Sequence, residues 1–218
     1  MKNFYEPHIS SKGLMGEVAR IIRAGRMRRI PKYIKEYLSY IYIYIYKPKF
    51  FTFKGSRYKE FYHYYNKTYR NERRFEIPII KEIIRKYKEE EILEIGNVLK
   101  HYMKAKWGVI DKYEVGEGVI NKDILDYKGK KKYNLIISIS TIEHIGKDEI
   151  HTDNKKCIEA IKKIRKMLSN KGKFVFTFLE HYNDTLSKYV LKSKNIEKQV
   201  INVKEKGNLI IAEVAPFH

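Results

Sequence analysis

The seven residues YNLIISI at 133–139 narrow the fold of this chain more than any other feature. A strand with one wet face alternates polar and apolar residues. A run without that alternation marks a strand covered on both faces, as in a parallel sheet. Its surroundings repeat the unit. Residues 91–95 (EILEI) read as a short apolar strand ended by Gly96, and residues 107–110 (WGVI) as a second ended by Asp111. Residues 117–120 (EGVI) give a brief third, followed by NKDI, and residues 173–179 (KFVFTFL) a later one. Between the last two, residues 154–168 carry Cys157, Ile158, Ile161, Ile164, Met167 and Leu168 at helical spacing. SNKGK, with Gly172, reads as the turn ending that helix. Strands alternating with helices predict an α/β fold with a doubly wound, mostly parallel sheet. Its ligand crevice should lie at the carboxyl ends of the strands. A helix near 184–194 follows. KQVINV and NLIIAEV, joined by KEKGN, then predict a C-terminal antiparallel hairpin.

The first 90 residues are built differently. Residues 15–46 carry two basic helical patterns, one ending around Gly25 and one starting at Pro31. In YLSYIYIYIYKPKFFTFKG, the Ile/Tyr alternation suits a strand. It equally suits continuation of the helix begun at 31. YHYYNKTYRNERRFEIPIIKEIIRKYKEE supplies a polar cluster, then a helix with Phe75, Ile79, Ile80, Ile83, Ile84 and Tyr87 on one face. The expected division is a basic, Tyr-rich, mainly helical N-terminal extension at 1–65 and the sheet domain at 66–218.

Composition constrains partners and compartment. The chain has 218 residues, enough for one well-cored α/β domain plus an extension. The single cysteine, Cys157, excludes an internal disulfide and a Cys-based zinc cluster. A reducing, cytoplasmic location is the default expectation. The opening MKNFYEPHISSKG has no apolar signal core. The net charge of +20 attracts polyanions: RNA, anionic lipid or phosphorylated substrates. A proteome-wide lysine bias gives the same number. Basic, Tyr-rich segments also sit at membrane interfaces, so peripheral membrane contact through residues 15–53 is one expectation for the extension. Packing on the core domain is the other.

The strand ends carry the chemistry. The first offers Glu94 and Gly96, the second Asp111, the third Asp123 with Ile124, and the fourth Ser138, Ser140, Glu143 and His144. A carboxylate ending the second strand can accept two hydrogen bonds from ribose hydroxyls. Each acid alone reads as a solvated loop residue. Together, in this order, they point to an adenosine-type cofactor.

These segments resemble the class I S-adenosylmethionine-dependent methyltransferases over about residues 70–215. ILEIGN is similar to the family's first motif, VIDKYE to its second and NKDILDY to its third. YNLIISISTIEHIG is similar to its fourth motif and following loop, and IKKIRKMLSNKGKFVFTF to the helix, turn and strand beyond. The resemblance implies a Rossmann-like fold, with S-adenosylmethionine as cofactor. It implies cofactor contacts at Glu94, Gly96 and Asn97, at Asp111 and Lys112 beside the ribose, at Asp123 and Ile124 beside the adenine, and at Ser140. The family's second and third loop glycines fall at Val98 and Lys100. Gly96 and Asp111 are closer together than the roughly 20 residues of a full loop and helix. Only about two helical turns fit between them, a poor cradle for a dinucleotide pyrophosphate.

GNVLKHY is further similar to a subgroup linked to surface-polysaccharide or sugar-modifying gene clusters, whose members also carry a segment like YNKTYRNER. That likeness implies roles at the cofactor crevice for Asn66, Thr68, Arg70, Asn71, Glu72 and Arg73, with Arg73 touching cofactor. The competing reading is a polar helix start capped by Asn71. For catalysis, His144 is the candidate base, with Glu143 orienting it or binding substrate. The competing reading, from the same resemblance, is that this pair helps shape the cofactor pocket and transfers no proton. His101, His151 and His181 are further candidates. Glu143, His144, Asp148 and His151 lack a zincin spacing, and no metal is expected. The acceptor implied is a small molecule, a sugar or lipid-linked saccharide. The alternatives are an RNA methyltransferase using the basic surface, with aromatic and basic residues interleaved at 58–74, and a non-catalytic membrane-surface or nucleic-acid-binding protein on a degenerate methyltransferase scaffold.

Overall fold

The computed structural model describes Gly16, Ala19 and residues 22–203 and 206–217. The start of the chain, where a basic helix was expected from 15, lies largely outside the described residues, as do 204 and 205 in the expected hairpin loop. Two compact units are present. One comprises the described residues up to Ile79 together with Leu99–Lys104; the other comprises Ile80–Val98 and the described residues from Ala105 onward.

The first unit opens with a turn at Gly25 (φ 65°), whose N–H bonds to the Ile22 carbonyl. Helix α1 (Ile30–Tyr46) resolves the Ile/Tyr repeat in favour of helix, and Lys47–Lys49 separate it from a hairpin, β1 (Phe50–Phe53) and β2 (Ser56–Lys59). Phe51 stacks on Tyr58 across the strands and meets Phe75 edge-on at 5.1 Å. Helix α2 (Arg73–Ile84) begins in this unit and contains Pro78. Proline cannot donate to the carbonyl four residues back. That carbonyl, on Arg74, instead accepts from Phe61 N at 2.9 Å, so the missing helix bond is replaced by one from the segment before the helix.

In the second unit the described residues form a seven-stranded sheet, order β5-β4-β3-β6-β7-β9-β8. Its strands are β3 (Ile92–Ile95), β4 (Gly108–Asp111), β5 (Val119–Asn121), β6 (Tyr133–Ile139), β7 (Leu168–Leu179), β8 (Ile196–Val203) and β9 (Gly207–Val214). β5 through β7 pair in parallel, and β9 runs antiparallel between β7 and β8. This is a Rossmann-like, mostly parallel sheet with a C-terminal antiparallel hairpin. β3 is buried at every residue and β6 at all but Asn134, in keeping with their largely apolar sequences. Helices α3 (Lys156–Lys166) and α4 (Asp184–Lys192) cover one face, where Cys157, Ile161, Ile164, Leu186 and Val190 meet Ile136, Phe174 and Phe176. The opposite face, with Val109, Leu135, Ile137 and Val175, is equally buried.

Two local expectations are corrected. SNKGK does not close helix α3, which ends at Lys166; those residues belong to β7, which starts at Leu168. Tyr133 pairs with Leu168 but Leu135 with Lys173, so residues 169–172 are extra length bulged out of the ladder. A Cβ on Gly172 would lie 2.6 Å from the Tyr133 carbonyl, so the glycine answers a close backbone approach and not a helix cap. Between Gly96 and Asp111, the two expected helical turns reduce to one 3-10 turn, Leu99–His101.

Candidate cofactor and catalytic site

The carboxyl ends of β3, β4, β5 and β6 lie side by side in the second unit, so the acids and loops predicted from sequence share one sheet edge. Glu94 is fully buried on β3. Its carboxylate accepts from Val98 N (2.9 Å) and Trp107 Nε1 (2.9 Å), satisfying a charge that burial would otherwise make costly. Asp111, ending β4, accepts from Asn97 N (2.8 Å) through Oδ2 and from Tyr113 N (2.8 Å) and Glu114 N (2.7 Å) through Oδ1. The amides of Asn97 and Val98, the two that follow Gly96, thus both face carboxylates. An anion-binding loop needs those amides directed at the ligand. This loop is chemically unsuited to a pyrophosphate, as its glycine count suggested.

Gly96 has φ 84°, a backbone conformation that strains any side chain. A Cβ there would collide with Thr141 Oγ1 and stand 2.7 Å from Thr141 Cγ2. Thr141, from the loop after β6, packs directly on the first loop, with Oγ1 bonded to the Ile139 carbonyl at 3.0 Å. The Asn97 side chain donates to Glu114 Oε2 at 2.5 Å, and its Oδ1 is buried without a hydrogen-bond partner. A buried acceptor in that state costs about 1–3 kcal/mol unless a donor meets it.

Lys112 and Asp123 pair at 2.9 Å. Lys112 also binds Glu149 (2.7 Å), and Glu149 binds Lys156 (2.6 Å), forming a chain of alternating charge. Burial opposes the charged form of Lys112, but Glu149 and Asp123 outweigh it and hold its pKa above the ordinary lysine value. Hydrogen bonds from Lys112 and Lys156 bring Glu149 down to about 2. Asp123 Oδ1 also accepts from Leu125 N (2.9 Å), and Ile124 is part of the buried core. Ser140 has a left-handed backbone (φ 39°) fixed by bonds from its N–H to the Thr177 carbonyl and Oγ1. Glu143 is buried.

His144 is half-exposed, and its Nδ1 lies 2.6 Å from Asp148 Oδ2. Tyr182 donates its hydroxyl to Asp148 at 3.0 and 2.8 Å, and its ring packs 4.4 Å from the imidazole. Burial raises the Asp148 pKa, but hydrogen bonds from His144 and Tyr182 and the charge of Lys147 bring it below the usual aspartate value. A carboxylate on Nδ1 fixes the tautomer that leaves Nε2 as an acceptor. Sequence spacing could have offered Asp148, four residues from His144. Tyr182 is 38 residues away and carried no signal. His151 and His181 are exposed. Among the described residues no cluster of three or more His, Cys, Asp or Glu side chains is arranged to hold a metal.

Arg73 lies in the first unit, 3.6 Å from Glu76. There YNKTYRNER and the end of GNVLKHY come together. Tyr65 stacks on His101 (4.6 Å), and Thr68 Oγ1 and the Tyr102 hydroxyl are 2.8 Å apart. Asn66 and Lys67 are left-handed, with φ 50° each. The Asn71 side chain accepts from Arg73 N at 3.1 Å, a cap-like contact at the start of α2.

No protein-family model matches the chain, and no curated protein matches it in sequence. Solved structures that the chain is similar to include an rRNA methylase from Streptococcus thermophilus, at 12% identity over 65% of this chain and 96% of that one, TM-score 0.45. N-methyltransferase NodS from Bradyrhizobium japonicum WM9 has 15% identity over 67% and 97%, TM-score 0.46. A TehB-like SAM-dependent methyltransferase from Corynebacterium glutamicum has 14% identity over 63% and 86%, TM-score 0.42.

Proposed function

We propose that the chain is an S-adenosylmethionine-dependent methyltransferase acting on a small-molecule acceptor. The observation that carries this reading is the sheet edge itself: Asp111, Asp123 and the Gly96 loop in one row, beside a sheet whose β9 runs antiparallel between β7 and β8. That placement accompanies the motif resemblance at the same positions. The residues fit this cofactor better than a dinucleotide. Asp111 has roughly four lone-pair positions, of which three are taken, so one remains for a ribose hydroxyl. The buried Asn97 Oδ1 offers an acceptor to an ammonium group. The acidic loop suits a ligand without phosphates.

The cofactor supplies an electrophilic methyl on a sulfonium sulfur. The protein's work is then positioning and proton removal. His144 Nε2 takes the proton of the acceptor's hydroxyl or amine, and Asp148 stabilises the imidazolium that results. Tyr182 holds Asp148 in place. The subgroup likeness favours a sugar or lipid-linked saccharide as acceptor.

Thermal denaturation tests the cofactor class. S-adenosylhomocysteine should raise the melting temperature, whereas NAD should leave it unchanged. A shift with NAD and none with S-adenosylhomocysteine would overturn the proposal.

A further inference from the structure

We propose that helix α1 docks on an anionic lipid surface through the face bearing Ile34, Leu38, Tyr42 and Ile45. The proposal stands independently of methyl transfer. Among the described residues, α1 is held by contacts along one side. Tyr37 and Tyr40 meet the Tyr64 ring at 5.2 and 6.0 Å, and Tyr40 meets Tyr69 at 5.4 Å. Glu36 pairs with Lys67 at 3.0 Å, and Ser39 Oγ accepts from Arg70 at 2.7 Å. At 3.6 residues per turn, positions 36 and 40 face away from 34, 38, 42 and 45, with 37 at the boundary between the two sides. The second set is open: Ile34 is 41% exposed, Leu38 61%, Tyr42 51% and Ile45 57%. Tyr46, at the helix end, is 71% exposed.

A helix with an apolar stripe ordinarily packs that stripe against a core. This one has no fully buried residue. The charges around the open face share one sign. Lys32 and Lys35 are exposed on the helix, Arg26 and Arg28 precede it, and Lys47 and Lys49 follow it. Glu36, the one acid in α1, sits on the held side. A partner must therefore accept apolar side chains and positive charge together. Another copy of the chain, with a net charge of +20, brings like charge to that encounter. RNA would match the lysines but gains neither hydrogen bonds nor stacking from Ile34, Leu38 and Ile45. An anionic bilayer interface meets both requirements, and tyrosine is at home there. No described helix is long and apolar enough to cross a membrane, so α1 would lie in the interfacial plane.

Vesicle flotation of the full chain tests this. It should float with vesicles of phosphatidylcholine plus phosphatidylserine and stay down with phosphatidylcholine alone. The neutral double substitution Leu38→Ser/Ile45→Ser should weaken flotation at least tenfold, with circular dichroism and melting like those of the parent. Lys32→Glu/Lys35→Glu, a second variant, should weaken it too. Three results would each overturn the proposal: no flotation of the parent chain at low salt, serine variants that float as the parent does, or self-association or RNA binding that the serine substitutions abolish while flotation is untouched.

Discussion

At the scale of single residues, the candidate site depends on contacts that composition does not advertise. Gly96 is the clearest case. Both its positive φ and its contact with Thr141 disfavour a side chain. Gly96→Ala should therefore cost more than the ~1 kcal/mol of an ordinary Gly→Ala change at a left-handed position, because a steric clash adds to the backbone strain. Urea denaturation measures it. Combining Gly96→Ala with Thr141→Gly should recover the steric part and leave the backbone part. An additive double variant would show that Thr141 is not the obstacle. His144 gives a second test at this scale. Imidazole 15N spectra of the neutral form should show Nδ1 protonated and Nε2 bare, and Asp148→Asn should shift that balance toward the other tautomer. Equal tautomer populations in the parent protein would contradict the role given to Asp148.

At the scale of elements, ion pairs link the ends of separate strands. Lys112 follows β4, Asp123 follows β5, Glu149 lies in the loop after β6, and Lys156 begins α3. The folded-state pKa of Glu149 is depressed from 4.5 to about 2. Its contribution to stability is therefore complete above the unfolded value and is lost as pH falls from about 4.5 toward 2. Glu149→Gln should flatten that part of the acid-denaturation curve. An unchanged acid limb would show that the network contributes nothing there. Elements were legible in the sequence where burial dictated the pattern. β3 and β6 are buried along almost their whole length, so their apolar runs marked them without ambiguity. Elsewhere two explanations shared one pattern. Ile/Tyr alternation fits a strand by period and a helix by context; α1 is helical, held by contacts with Tyr64 and Tyr69 that local sequence does not encode. SNKGK looks like a helix end because bulges and helix caps both recruit Gly, Asn and Ser.

At the scale of the whole molecule, the mostly parallel sheet was readable from the apolar runs at β3 and β6, and the C-terminal hairpin from two strand-like runs close in sequence; Gly207 and Asn208, expected in its turn, instead begin β9 and pair with Val203 and Asn202. The site was readable as a row of acids, but not as a network. Which amides meet Asp111 and Glu94, and that Tyr182 reaches Asp148, depend on the path of the chain between them. The composition likewise announced a strongly positive protein without placing an open apolar face on α1. On the proposed reading, the shortened loop, with its amides turned toward carboxylates, still holds an adenosine-type cofactor without phosphates. Isothermal titration of the intact protein with S-adenosylhomocysteine tests it most directly. Saturable one-to-one binding, lost in a folded Asp111→Ala variant, is the predicted result; no heat of binding at millimolar ligand would contradict the account.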